Sequence, residues 1–183
     1  MVITISREYG SGGRYVGKLL AEKLGIPCYD KEIIVDTARE SGLDIEYIKE
    51  NEQIKNDFNI YYNNDDNIYL CESKVIKNLA MKPCIIIGRC ADYILKDRND
   101  VYNVFLYSSM DKKIDRVTKY YGIDAEKAKN EINKVNKRRA IHYEYYTNQK
   151  WNDVSNYDLA VNVDTLGVEN TALMIKKIVE NGK

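Results

Sequence analysis

Proline is scarce in this chain, with two in 183 residues, and its low share excludes collagen-like and low-complexity classes. Histidine occurs once, at His142, and the four cysteines, Cys28, Cys71, Cys84 and Cys90, lie far apart with no CxxC pair. Zinc needs convergent His and Cys and a disulfide framework needs patterned Cys, so neither is indicated and no metal ligand set is expected. Cys84 and Cys90 flank an apolar strand and read as buried fillers. Net charge is missing as well: 28 Lys and Arg balance 28 Asp and Glu. Without a global positive field no nucleic-acid partner is expected, and any anion binding has to be local. No apolar run approaches the ~20 residues that span a bilayer, so no membrane partner is expected either. The opening MVITIS leaves no room for the charged and apolar regions of a signal peptide, and the expectation is a cytoplasmic protein.

What is present is 44% hydrophobic and 31% charged residues, enough for one globular domain with its own core. Val2 to Ser6 alternate and run into the turn Arg7-Glu8-Tyr9-Gly10-Ser11-Gly12-Gly13-Arg14, after which Val16, Leu19, Leu20 and Leu24 recur at helical spacing. Gly25 and Pro27 stop that helix, Ile26 to Tyr29 reads as extended, and Asp30 stands where a cap would sit for a helix from Lys31 to about Ser41. A further helix is predicted over Asp44 to Lys55. The Asn- and Asp-rich stretch Asn56 to Asn67 reads as a loop, followed by a helix over Ile68 to Met81. Cys84 to Ile87 and Val101 to Tyr107 are apolar runs of the kind buried in a parallel sheet. Helices over Asp111 to Tyr121 and Ala125 to Tyr146, a strand from Leu159 to Val163 and a helix over Val168 to Val179 complete the pattern. Strands alternating with helices throughout predict a parallel, layered α/β sheet.

A glycine-rich turn between first strand and first helix lets backbone amides face a phosphate at a helix N-terminus. The Walker signature GxxxxGK[ST] adds a lysine for the outer phosphates and a hydroxyl for magnesium. Aligned on Gly10-Ser11-Gly12, its first glycine falls on Arg7, its lysine on Gly13 and its hydroxyl on Arg14. The glycines are there without the lysine, and Arg14 offers the nearest charge. Two other readings stand beside this one. The turn can be purely structural, or it can begin the dinucleotide pattern GxGxxG, with Asp30 as the acidic partner, although the third glycine would fall on Tyr15.

The loop ISREYGSGGRYVGKLLAEKLGIPCYDKE, the turn IIIGRCADYIL, the stretch KRRAIHYEYYT and the ending NYDLAVN together resemble the cytidylate kinase-like family over nearly the whole chain. The resemblance implies a P-loop NTPase-type three-layer αβα fold with a parallel sheet, as a single domain over residues 1–183. A helical insertion for a nucleoside monophosphate would span about 31–80 and a short basic lid about 130–150. It also implies phosphoryl transfer from ATP, with magnesium carried by the nucleotide, to a CMP-like or other small phosphate acceptor. Gly10, Ser11, Gly12, Gly13 and Arg14 would hold the donor phosphates. Arg89 matches the arginine of the acceptor-binding turn, whose leading aspartate is absent here. Asp30 matches the acidic residue facing the acceptor. Asn136-Lys137-Arg138-Arg139 stands where such kinases carry a lid with an Asp-Arg-x-Arg pattern.

Each candidate also has a plainer role open to it. Arg89 can pair in a structural salt bridge, and Asp92, one turn on, can orient Arg89 or cap the following helix. Lys134, Lys137, Arg138 and Arg139 can form a solvated face, and Arg116 can be surface. His142, Tyr143, Tyr145, Tyr146 and Trp151 can stack on a base or pack in the core; with 16 tyrosines, scattered packing is the simpler account. The leading expectation is a kinase whose phosphoryl is met by Arg14, Arg89, Arg138 and Arg139. The alternatives are a non-catalytic nucleotide-binding module and an unrelated α/β protein with a structural loop.

Overall fold

A computed structural model describes residues 1–30, 32–42 and 64–182. The helix expected over Asp44 to Lys55 and most of the Asn- and Asp-rich stretch lie outside the described residues. In chain order the elements are β1 (Val2–Arg7), α1 (Gly13–Leu24), β2 (Cys28–Tyr29), α2 (Glu32–Ser41), α3 (Asn64–Leu79), β3 (Cys84–Ile87), α4 (Ala91–Ile94), β4 (Val101–Tyr107), α5 (Met110–Tyr121), α6 (Ala125–Thr147), β5 (Leu159–Asn162) and α7 (Val163–Glu180).

All strand pairs are parallel, in the order β2-β3-β1-β4-β5. Period-two alternation sends Ile3, Ile5, Ile85, Val104 and Leu106 to one face, where Val16 and Leu20 of α1 and Ala172 and Ile175 of α7 cover them. Val2, Cys84, Ile86 and Val101 face the other side, against Ile33 of α2, Val75 and Ile76 of α3, and Leu95. The result is the expected three-layer α/β sandwich. Cys84 and Cys90 are buried, as their apolar neighbours suggested. Among the described residues no helix is long and apolar enough to cross a membrane.

β1 is the middle strand. The chain leaves it through α1 toward β2 on one side, whereas from the adjacent β3 it crosses to β4 on the other. That reversal opens a crevice at the carboxyl ends of β1 and β3, where ligands of open α/β sheets bind. Both loops singled out in the sequence, residues 8–12 and 88–90, sit there.

Two boundaries differ from expectation. Helix α3 begins at Asn64, so the last residues of the expected loop are helical; acidic residues such as Asp66 favour the positive end of a helix. At the other end of the chain β5 stops at Asn162, whose side chain accepts from Asp164 N at 3.0 Å and turns the chain early. Gly167, at φ 74°, then breaks the helical backbone just before Val168, where the long helix was predicted to begin.

Candidate functional site

The loop after β1 is shaped by two left-handed glycines, Gly10 at φ 81° and Gly12 at φ 88°, the latter capping α1. The backbone there is dense: a Cβ on Gly10 would lie 2.9 Å from the Lys113 carbonyl oxygen. Inside the loop, the buried Ser11 turns its hydroxyl inward and donates to Glu8 O at 2.9 Å.

Side chains from α5 and α7 brace the loop from one side. Lys113 Nζ donates to Glu8 Oε2 at 2.8 Å, and Ser108 N to the same oxygen at 3.2 Å. Arg116 donates to Gly10 O at 3.3 Å and Ser108 Oγ at 2.7 Å, and pairs with Asp164 Oδ1 at 3.1 Å. Asp164 also accepts from Ser108 Oγ at 2.5 Å and Ser109 N at 2.7 Å. Burial works against its charge, yet these bonds bring its pKa down to about 2.

From the opposite side comes α6. Asn136 Oδ1 accepts from Tyr9 N at 2.7 Å, and Arg139 donates to Arg7 O at 2.9 Å. Burial first, then the adjacent Arg7 charge, pulls the Arg139 pKa well below its ordinary value. Arg14 Nε meets Asp30 Oδ2 at 2.6 Å, and Arg7 Nη2 lies 3.6 Å from Asp30 Oδ1. Among the described residues Arg7, Arg14, Arg116 and Arg139, with Glu8 as the one carboxylate, line the pocket over the loop. Tyr9, Tyr15, Tyr120 and Tyr121 complete its rim. A concave site with this many guanidiniums at a helix N-terminus suits a multiply charged phosphate chain.

Across the crevice, Gly88, Arg89 and Cys90 all have positive φ, at 74°, 60° and 53°. Left-handed arginine and cysteine cost of order 1–2 kcal/mol each, a strain that gathers at functional sites. The turn gives Arg89 a partner in Glu72 of α3, whose side chain is only 4% exposed. Asp92 turns toward α6. It accepts from Tyr143 OH at 2.6 Å, and burial pushes its pKa up.

The sequence candidates therefore divide. Gly10, Ser11, Gly12, Gly13, Arg14, Asp30 and Arg139 come together around the loop, with Arg116. Arg89 and Asp92 belong to the turn after β3. The basic run does not act as one unit: Arg139 turns to the loop, while Lys134 and Lys137 are exposed. Arg138, between them, is half-buried. Most of the aromatics after it pack internally, whereas Tyr145 is exposed. Trp151 and Tyr143 join Phe105 and Tyr157 in one buried cluster, and Tyr146 stacks on Tyr69 at 3.9 Å. Arg7, Glu8, Glu72, Lys113 and Asp164 escaped the sequence reading as site residues, and Asn136 entered it only as part of the lid pattern. Arg7 had a visible signal, because it stands where a phosphate loop ordinarily has glycine, and so did Asn136, which stands at the aspartate of the lid pattern.

Residues 2–165 match the family described as the Cytidylate kinase-like family. The cytidylate kinase of Methanopyrus kandleri is 24% identical over 181 residues, covering 98% of this chain and 93% of that protein. Among solved structures, an uncharacterized protein from Eubacterium ventriosum superposes with a TM-score of 0.80 at 29% identity, covering 98% of each chain. A shikimate kinase from Bacteroides thetaiotaomicron does so with a TM-score of 0.62 at 16% identity, again over 98% of each, a likeness of fold alone.

Proposed function

Since the chain belongs to the cytidylate kinase-like family, we propose that it is a nucleotide-dependent kinase, moving the γ-phosphoryl of ATP to a nucleoside monophosphate, CMP-like, or to another small acceptor. The observation that carries this reading is the pocket itself: a left-handed glycine loop at the central strand, ringed by four arginines and facing the strained turn that holds Arg89. The amides of Gly10 to Gly13 and Arg14 take the donor phosphates. Arg89 and Asp30 serve the acceptor side, with the buried Asp92 held behind that turn by Tyr143 rather than open to an acceptor, and Lys137, Arg138 and Arg139 supply lid charge.

The transfer needs little else from the protein. The bond from the γ-phosphorus to the β–γ bridging oxygen breaks, and one forms to an oxygen of the acceptor. With a monophosphate dianion as acceptor, four negative charges on ATP and two on the acceptor become three on each product. No proton has to move, so no general base is required. Positioning and charge neutralisation carry the catalysis, and arginines supply both.

The loop fits phosphates well and magnesium less well. Arg14 stands at the position of the metal-binding hydroxyl, and Ser11 is turned inward to Glu8 O. Among the described residues no group of three or more His, Cys, Asp or Glu converges as a metal site. Magnesium would be carried by the nucleotide, where it would supply charge neutralisation on the phosphates.

A second reading, a nucleotide-binding module without catalysis, is favoured by Gly13-Arg14 standing where Lys-Ser or Lys-Thr would be. Calorimetric titration with ATP and magnesium, followed by phosphorus NMR after adding CMP, dCMP and other monophosphates, separates the two. The kinase predicts binding and a new diphosphate resonance. Binding without product selects the module, and no binding removes both.

A further inference from the structure

The missing lysine leaves a question of chemistry: what neutralises the outer phosphates and the migrating group? We propose that Arg7 takes the lysine's place, reaching over the loop from the opposite end of the motif to contact the transferring phosphoryl. The assignment rests on the kinase reading above and concerns a residue that reading leaves without a role.

The first observation is steric. Gly13 occupies the lysine position, and a Cβ there would lie 2.8 Å from Arg7 Cβ and 2.9 Å from Arg7 Cγ. Real Cβ atoms do not approach so closely, so the stem of Arg7 fills the space through which a side chain at residue 13 would leave the backbone. Residue 7 is also where the signature begins with glycine. The signature pairs glycine with lysine; this chain pairs arginine with glycine. The two positions have exchanged their side chains across one contact.

Direction is the second observation. The Arg7 guanidinium runs over the loop to the turn after β3, where a Cβ on Gly88 would overlap it. One of its nitrogens lies 3.6 Å from Asp30 Oδ1, and the residue lines the phosphate pocket. Its charged end thus lies between the donor loop and the acceptor turn, where a migrating phosphoryl has to pass. A guanidinium stays charged and presents its N–H donors in a planar fork that matches the oxygens of a phosphoryl group.

Charge is the third. Arg139 donates to the Arg7 carbonyl, and the two guanidiniums burden one another. An arriving polyanion relieves that repulsion, which gives the cluster a reason to be held together at the mouth of the loop.

The test uses Arg7→Met, which keeps the aliphatic stem against Gly13 and removes the charge. Affinities for magnesium-ATP and for inorganic tripolyphosphate are measured by calorimetry, with thermal melting to verify folding. Loss of a charge-assisted bond predicts tripolyphosphate binding weakened by roughly 10- to 100-fold, with Arg7→Lys falling between. The restoring variant Arg7→Gly with Gly13→Lys should bind more tightly than Arg7→Gly alone. If Arg7→Met does not fold, this pair decides the question: recovery supports the exchange, and no recovery overturns it. A wild type that binds both ligands, with a folded Arg7→Met binding them equally well, overturns the Arg7 assignment and leaves the kinase reading intact. A wild type that binds neither overturns both.

Discussion

Replacing Gly10 by alanine separates two costs that a phosphate loop carries. Gly10 and Gly25 both adopt left-handed backbone, at φ 81° and φ 66°. For alanine that conformation costs of order 1–2 kcal/mol. Around Gly25 nothing lies within 4 Å of an added Cβ, so Gly25→Ala should cost that amount and no more. At Gly10 the new atom would lie 2.9 Å from the Lys113 carbonyl oxygen, 3.0 Å from Val117 Cγ2 and 3.1 Å from Lys113 Cβ. None of these neighbours yields easily. The carbonyl is part of α5, Val117 is buried, and the Lys113 ammonium is bonded to Glu8 of the same loop. Overpacking of this kind adds about 1–3 kcal/mol. Gly10→Ala should therefore destabilise by about 3 kcal/mol, roughly double the cost at Gly25. Urea unfolding of the two variants side by side gives the comparison, with the slope of the transition checking that the folded state stays compact. Equal losses at the two sites would refute the claim that the loop is pressed against α5.

Two further outcomes follow from buried polar groups. Tyr143→Phe deprives Asp92 of the 2.6 Å bond from its hydroxyl and should cost about 2 kcal/mol at neutral pH. Because burial already raises the Asp92 pKa, the penalty falls on the ionised form. The deficit should shrink as pH is lowered and Asp92 takes up a proton, and adding Asp92→Asn should relieve it; a pH-independent deficit in urea titrations would count against this account. Asp164 behaves in the opposite sense. Its pKa falls from 3.8 unfolded to about 2 folded, so its contribution of roughly 2 kcal/mol is complete above pH 4 and lost as pH drops toward 2. Asp164→Asn should flatten that part of the acid-unfolding curve, and an unaltered curve would mean that the Ser108–Arg116 network does not depend on the charge.

Much of this molecule was legible from local pattern. The alternation of Val2 to Ser6, the glycines after it and the helical spacing of Val16, Leu19, Leu20 and Leu24 define β1, the loop and α1. Gly25 ends α1 as expected because the left-handed cap it adopts, at φ 66°, suits glycine. Apolar runs marked β3 and β4 as buried parallel strands, and the position of the glycines placed the candidate phosphate site. These features are set by neighbours in the chain, so period and turn chemistry are sufficient to find them.

Tertiary structure decided which charges share the site. On sequence alone Lys134, Lys137, Arg138 and Arg139 share one basic stretch, with Arg138 and Arg139 both expected at the phosphoryl; the docking of α6 turns Arg139 to the loop and leaves Lys134 and Lys137 exposed. Asp30 read equally as a helix cap and as an acid facing a ligand, and only the fold shows that both of its carboxylate oxygens face arginines. Glu72 gave no signal before α3 packed beside the turn that carries Arg89, and Asp164 gave none before α7 returned to α5. Arg7 and Gly13 are six positions apart, and nothing in their spacing says that one side chain occupies the other's space. Periodicity is a one-dimensional property that the sequence carries by itself; electrostatic partnership and steric exclusion depend on distances that exist only once the chain has folded.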